Sequence, residues 1–226
     1  MQIIRNGAHT ATGPSDWFTG AACIDAVAAR CARASPEWHR REGECELDMS
    51  DYGQLITSGE RPVLEYRRRF DDSPDRVWQA LTEPDELAAW FPTTIDGDRQ
   101  AGAALSFRFE HVQLEPMHGE MLRFEPPTLL EFTWGGDVLR FALEGDGEGT
   151  LMTFTVALDE LGKATRDGAG WHQSLERLER ALTGELERDY DSERWRALRD
   201  GYAERFGAEA SVLGPPQEWE DEHGAT

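Results

Sequence analysis

The residues best equipped for chemistry in this chain are few and far apart. His172 follows Trp171 in the stretch "GAGWHQSLERLERALTG", and Asp167 stands just before it. A histidine with a carboxylate nearby suits a general base, provided that a partner orients the ring and a substrate reaches it. His111, His118 and Glu120 are ligand types that hold a divalent metal if their strands bring them together. No helical H-x-x-x-H or compact cluster accompanies them, so the expectation is no bound metal. Cys23, Cys31 and Cys45 are widely spaced, odd in number and without a C-x-x-C pair, which argues against both a disulfide framework and structural zinc. The "GDGEG" stretch has the glycines of a phosphate loop but carries acids, the wrong charge for an anion, and reads as a hairpin turn. A G-x-S-x-G nucleophile motif is absent. The motifs therefore imply no cofactor and no catalytic residue.

The element carrying His172 reads as a helix. At roughly 100° per residue, Trp171, Leu175, Leu178 and Leu182 fall within about 60° of one another, a narrow stripe suited to lying on a sheet. His172 sits about 90° from the centre of that stripe, on the border between buried and exposed. Glu176 and Arg180 are spaced as an i,i+4 ion pair on the exposed side, and Gly184 suits the C-terminal stop.

Ahead of this helix the sequence alternates as a sheet does. "RPVLEYRRRF" puts Leu64, Tyr66 and Phe70 on one face. Ser73 and Pro74 then open a helix with a Val77, Trp78 and Leu81 stripe, which Pro84 interrupts before "PDELAAWF" restarts it. Four further strands gather Leu105, Phe107 and Phe109; Leu130, Phe132 and Trp134; Leu139, Phe141 and Leu143; and Met152, Phe154, Val156 and Leu158. A fifth, "MHGEMLRFEPP", stops at Pro126-Pro127. One apolar and one polar face per strand is the pattern of an antiparallel sheet with a solvated side. After Gly184, "ERWRALRDGYAERFG" forms a further helix with Trp195, Leu198, Tyr202 and Phe206 on one side.

The order of strand, kinked helix pair, antiparallel strands and long helix predicts an α+β helix-grip: a curved antiparallel β-sheet wrapped around a long C-terminal helix, with the kinked short helix pair after the first strand. The 226 residues divide into an extension at 1–48, a domain at 49–211 and an acidic mobile tail at 212–226. The extension holds every cysteine and too little core to be stable alone, and Met49 offers an alternative translation start. A net charge of −21 repels phosphate backbones and anionic lipid, excluding nucleic acid and membrane surfaces as partners. Without an apolar run of membrane length or a secretory leader, the expected location is cytoplasmic.

Four blocks, "VWQALTEPDELAAWF", "GEMLRFEPPTLLEFTWG", "GTLMTFTVAL" and "GWHQSLERLERALTG", resemble in order the SRPBCC superfamily, the START and birch-pollen-allergen fold. Within it they are most similar to bacterial homologues of the C-terminal domain of the activator of heat-shock protein 90 ATPase, over about Met49 to Ala210. The resemblance implies a cavity between sheet and helix and the binding of a small hydrophobic or aromatic molecule, without fixed catalytic apparatus. It gives Trp90, Phe91, Phe107, Phe109, Phe132, Trp134, Phe141, Phe154, Trp171 and His172 as ligand-binding residues, with Tyr66 and Arg108 as further polar groups. Two alternatives stay open, a polyketide cyclase/dehydrase-like enzyme using the same cavity and a co-chaperone-like interaction module. A protein partner or a homodimer is compatible with either. Residues 1–48 do not match the N-terminal domain of the eukaryotic namesake, which weighs against the co-chaperone.

Overall fold

A computed structural model describes residues 51–109, 115–185 and 191–214. The N-terminal extension with its three cysteines, His111 and the acidic end from residue 215 lie outside the described residues.

Eight strands form one antiparallel sheet in the order β1-β2-β8-β7-β6-β5-β4-β3. They are β1 (Gln54–Ile56), β2 (Val63–Phe70), β3 (Thr94–Asp96), β4 (Ala104–Arg108), β5 (Met117–Glu125), β6 (Leu129–Trp134), β7 (Asp137–Asp146) and β8 (Gly149–Ala157). Strands β3 to β8 run as a meander, and β2 closes beside β8 with Tyr66 opposite Phe154. The "GDGEG" turn joins β7 to β8, with Asp146 opposite Gly149 and Gly147 at φ +66°, a conformation that favours glycine. A register shift between Met121 and Arg123 bends β5.

Between β2 and β3 come α1 (Pro74–Thr82) and α2 (Pro84–Leu87). Ser73 caps α1 by accepting from the Arg76 amide, and Pro74 occupies its first turn. The long helix α3 (Ala164–Thr183) lies on the sheet, and α4 (Ser192–Phe206) packs on α3. A 3₁₀ turn, Leu161–Lys163, leads into α3, and another, Ala208–Ser211, follows α4. This is the expected α+β helix-grip.

The details differ from the sequence reading in four places. β1 precedes β2, so the kinked helices follow the second strand; β1 and β3 have three residues each, too few for alternation to show. The restarted helix α2 lasts one turn before Trp90 and Phe91 leave it. α3 begins at Ala164 and runs through Gly168 and Gly170, because tertiary packing overrides their weak helix propensity. Finally, the Leu213 amide donates to the Gly162 carbonyl, which ties residues 212–214 to the domain.

Candidate functional site

Strands β2, β4, β6, β7 and β8 contribute rings to one layer between the sheet and α3. Tyr66, Phe154, Phe141, Phe132 and Phe107 follow one another across the sheet with near-parallel planes. Phe141 and Phe154 are closest, with centroids 4.3 Å apart and planes at 13°; Tyr66–Phe154, Phe132–Phe141 and Phe107–Phe132 are at 5.7, 6.4 and 5.9 Å. Register explains the run from Tyr66 through Phe154 to Phe132, where rings on neighbouring antiparallel strands share a face, while Phe107 of β4 reaches Phe132 of β6 across Gly119 of β5, where a side chain would collide with it. The helix side enters edge-on. Trp171 of α3 meets Phe154 at 5.2 Å and 73°, and Trp90 meets Phe141 at 6.1 Å and 82°. Phe91 touches Trp134 at 5.2 Å, Trp171 at 5.8 Å and Phe132 at 6.3 Å. Phe109 closes the layer against Trp134.

All nine aromatics expected to wall a cavity are thus brought together, and all are buried. Among the described residues, though, the rings fill one another's space. A narrow apolar cleft beside Phe132, lined by Leu81, Leu87, Ile95, Met121 and Leu130 with Arg99 at its side, has a volume of about 10 Å³, room for one water molecule. A ligand larger than water enters that cleft only by displacing side chains. Trp90 and Phe91 enter the layer from outside the sheet and α3. They stand on a short segment between the one-turn helix α2 and Pro92, held in part by the Trp90 indole N–H donating to the Ala80 carbonyl. The remaining rings stand on the sheet and α3, except Phe109, which follows the end of β4.

His172 is placed otherwise than expected. It is neither at a cavity edge nor in solvent, but 2% exposed beneath α4. Its Nδ1 lies 3.0 Å from the Tyr202 hydroxyl, and its Nε2 lies 3.5 Å from Glu176. With Nε2–H facing the carboxylate, Nδ1 accepts from Tyr202, whose oxygen in turn accepts from the Gly53 amide at 2.8 Å. Burial lowers the histidine's pKa even though Glu176 favours its charge. Burial also pushes the Tyr202 phenol up to about 12. For Glu176, burial alone would raise the carboxyl, but hydrogen bonds from His172 and Arg194 outweigh it and hold it at about 2. Glu176 is paired with Arg194 of α4 rather than exposed beside Arg180 as its spacing suggested. A ligand in the ring layer would meet Trp171 and not His172.

The other polar expectations point elsewhere as well. Arg108 is on the solvent side, paired with Asp96. Tyr66 is in the layer, and its hydroxyl donates to the Gly168 carbonyl at 2.8 Å, fastening β2 to α3. His118 and Glu120 are exposed on β5.

Sequence reasoning missed a second polar cluster, at the start of α3. Lys163, the sole lysine of the chain, is buried with its Nζ 2.8 Å from Asp137, 2.6 Å from Asp159 and 3.9 Å from Asp167. Burial works against its charge, but Asp137 and Asp167 outweigh that and raise its pKa. Arg166 donates from Nε to Asp167 Oδ1 at 2.7 Å. The sequence signal was the lone lysine in an arginine-rich chain, which marks a position needing a compact ammonium.

Residues 71–183, half of the chain, match the family model described as activator of Hsp90 ATPase homolog 1-like protein (AHSA1). The chain belongs to that family. AHSA1-like chains share the SRPBCC helix-grip fold, which typically binds hydrophobic ligands. Three solved structures illustrate the fold. EF2215 of Enterococcus faecalis, a conserved protein of unknown function, is 20% identical with a TM-score of 0.59, over 72% of this chain and 92% of that one. CalU16 from Micromonospora echinospora is 24% identical with a TM-score of 0.52, over 69% and 94%. The BPP1335 protein of Bordetella parapertussis is 22% identical with a TM-score of 0.53, over 69% and 92%. No curated protein matches this AHSA1-like chain. Among its described residues no helix is long and apolar enough to cross a membrane.

Proposed function

We propose that this AHSA1-like protein binds a small hydrophobic or aromatic molecule in the layer between the sheet and α3. The observation that carries this reading is the composition and support of the layer: nine aromatic residues packed together, two of them on a short segment outside the sheet and α3. A core needs no such concentration of rings, whereas a flat apolar ligand finds stacking partners on the sheet and edges from the helix. Entry requires Phe91 and Trp90 to swing out with the segment after α2, and the ligand ring then takes the place of Phe91 between Trp134 and Trp171.

Titration with naphthalene, followed by the indole resonances of Trp90, Trp134 and Trp171, tests this. Saturable one-to-one shifts centred on these indoles are expected. Native mass spectrometry of protein purified from its own host should show a co-purifying apolar molecule. No saturable binding of naphthalene up to its solubility limit would refute the reading.

A further inference from the structure

At the end of the ring layer nearest the start of α3, one ion pair is left half-satisfied. Asp167 is 0% exposed and Arg166 2%. They are joined through Nε and Oδ1, while Arg166 Nη2 and Asp167 Oδ2 are buried without a hydrogen-bond partner. Lys163 reaches Oδ2 only at 3.9 Å, beyond hydrogen-bond distance. A buried donor and a buried acceptor left open on the same pair are costly unless something completes them.

Their position ties them to the layer. Asp167 stands one turn before Trp171 on the same face of α3. Trp171 is 6.1 Å from Trp134, Trp134 is opposite Asp137 in the sheet register, and Asp137 joins Asp167 through Lys163. Asp167 thus stands beside Trp171 on α3 and is linked through Lys163 and Asp137 to the strand pair that carries Trp134, and Arg166 enters as its ion partner. We propose that Asp167 and Arg166 form the polar end of the apolar site and recognise an uncharged ligand head that both donates and accepts a hydrogen bond, a phenolic hydroxyl on an aromatic body. This rests on the binding function proposed above.

The charge balance selects a neutral head. Asp137, Asp159 and Asp167 face Lys163, Arg166 and Arg61, three carboxylates against three cations. An added ion of either sign would be buried without a counter-charge. A hydroxyl satisfies both open atoms, donating to Oδ2 and accepting from Nη2. Asp137 offers no such opening, since Oδ1 accepts from the Asp159 amide at 2.9 Å and Oδ2 from Lys163 at 2.8 Å.

The test compares naphthalene, 2-naphthol and 2-methoxynaphthalene on the full chain by calorimetry. The methoxy compound keeps the oxygen but cannot donate. The wild type should prefer 2-naphthol to both others by about ten- to a hundredfold, the range of a hydrogen bond to a charged group. Asp167→Asn, which puts a donor where Oδ2 accepts, should erase that preference while naphthalene still binds. Asp96→Asn, on the solvent side of the sheet and outside the ion cluster, should leave it intact. Equal affinity for the three compounds in the wild type, or a preference that survives Asp167→Asn, overturns the proposal and leaves the binding function standing. If none of the three binds, the binding function itself fails and the polar end falls with it. The wild-type comparison decides the matter even where a variant does not fold.

Discussion

Replacing Phe91 by alanine separates a wedge ring from the rest of the layer. Phe91 is 5% exposed and meets Trp90, Phe132, Trp134 and Trp171 at centroid distances of 5.2 to 6.3 Å. Burying its side chain is worth about 1.5–3 kcal/mol in transfer from water. The void left behind adds about 24 cal/mol per Å³ that does not collapse. Its neighbours Phe132, Trp134 and Trp171 stand on the sheet and α3 and cannot close in easily, so the total belongs in the range of about 3–5 kcal/mol found for Phe→Ala. For a domain of this size that lowers Tm by about 2–4 °C per kcal/mol, measurable by calorimetric or fluorescence melting. The void is apolar and should stay dry, as engineered apolar cavities do. Toluene at ten times its Kd should then restore about 1.4 kcal/mol. A loss below about 1 kcal/mol would show that the ring is not a wedge. A loss of only the transfer term, about 1.5–3 kcal/mol, with no response to toluene would show that the walls collapse, refuting the rigid-wall reasoning behind the proposed binding mode.

Three further outcomes follow from the polar clusters. Lys163→Met leaves buried carboxylates uncompensated and should cost about 3–5 kcal/mol in denaturant melts; adding Asp137→Asn to it should cost less than the sum of the two single changes. Tyr202→Phe strands the Gly53 N–H and the His172 ring nitrogen, at about 1–3 kcal/mol by the same assay. An unchanged melt would show that α4 does not depend on this contact. Acid should destabilise the fold in two stages. His172 is held below its ordinary 6.5, so folding favours its neutral form, and that contribution is complete above pH 6.5 and lost as pH falls. Glu176, held at about 2 against an ordinary 4.5, contributes above pH 4.5 and loses that as pH falls toward 2. Asp167, raised by burial to about 6, runs the other way, its contribution being present below 3.8 and lost as pH rises through 6. Glu176→Gln should flatten the pH–stability curve between 4.5 and 2, and an unaltered curve there would contradict the assignment.

Much of the fold was legible because its signals are local. The alternation of Leu64, Tyr66 and Phe70, or of Leu139, Phe141 and Leu143, fixes which face of each strand turns inward without reference to any other strand. The stripe from Trp171 to Leu182 likewise assigns α3 to the sheet. The short strands β1 and β3 escaped because three residues carry no period.

The sequence by itself therefore determined the helix-grip and the set of rings that meet inside it, since both follow from periods of two and 3.6 residues along one chain. Only tertiary structure decided how those rings fill the layer, because packing depends on register between strands far apart in sequence. It also decided the fate of His172 and Glu176. Their angle on α3 left them at a border, and α4 turned that border into an interior by laying Tyr202 and Arg194 over them. The ion cluster shows the same division. Asp159 and Asp167 are each four residues from Lys163 and meet it locally, but Asp137, at the start of β7, joins them only once the sheet and helix have closed on one another.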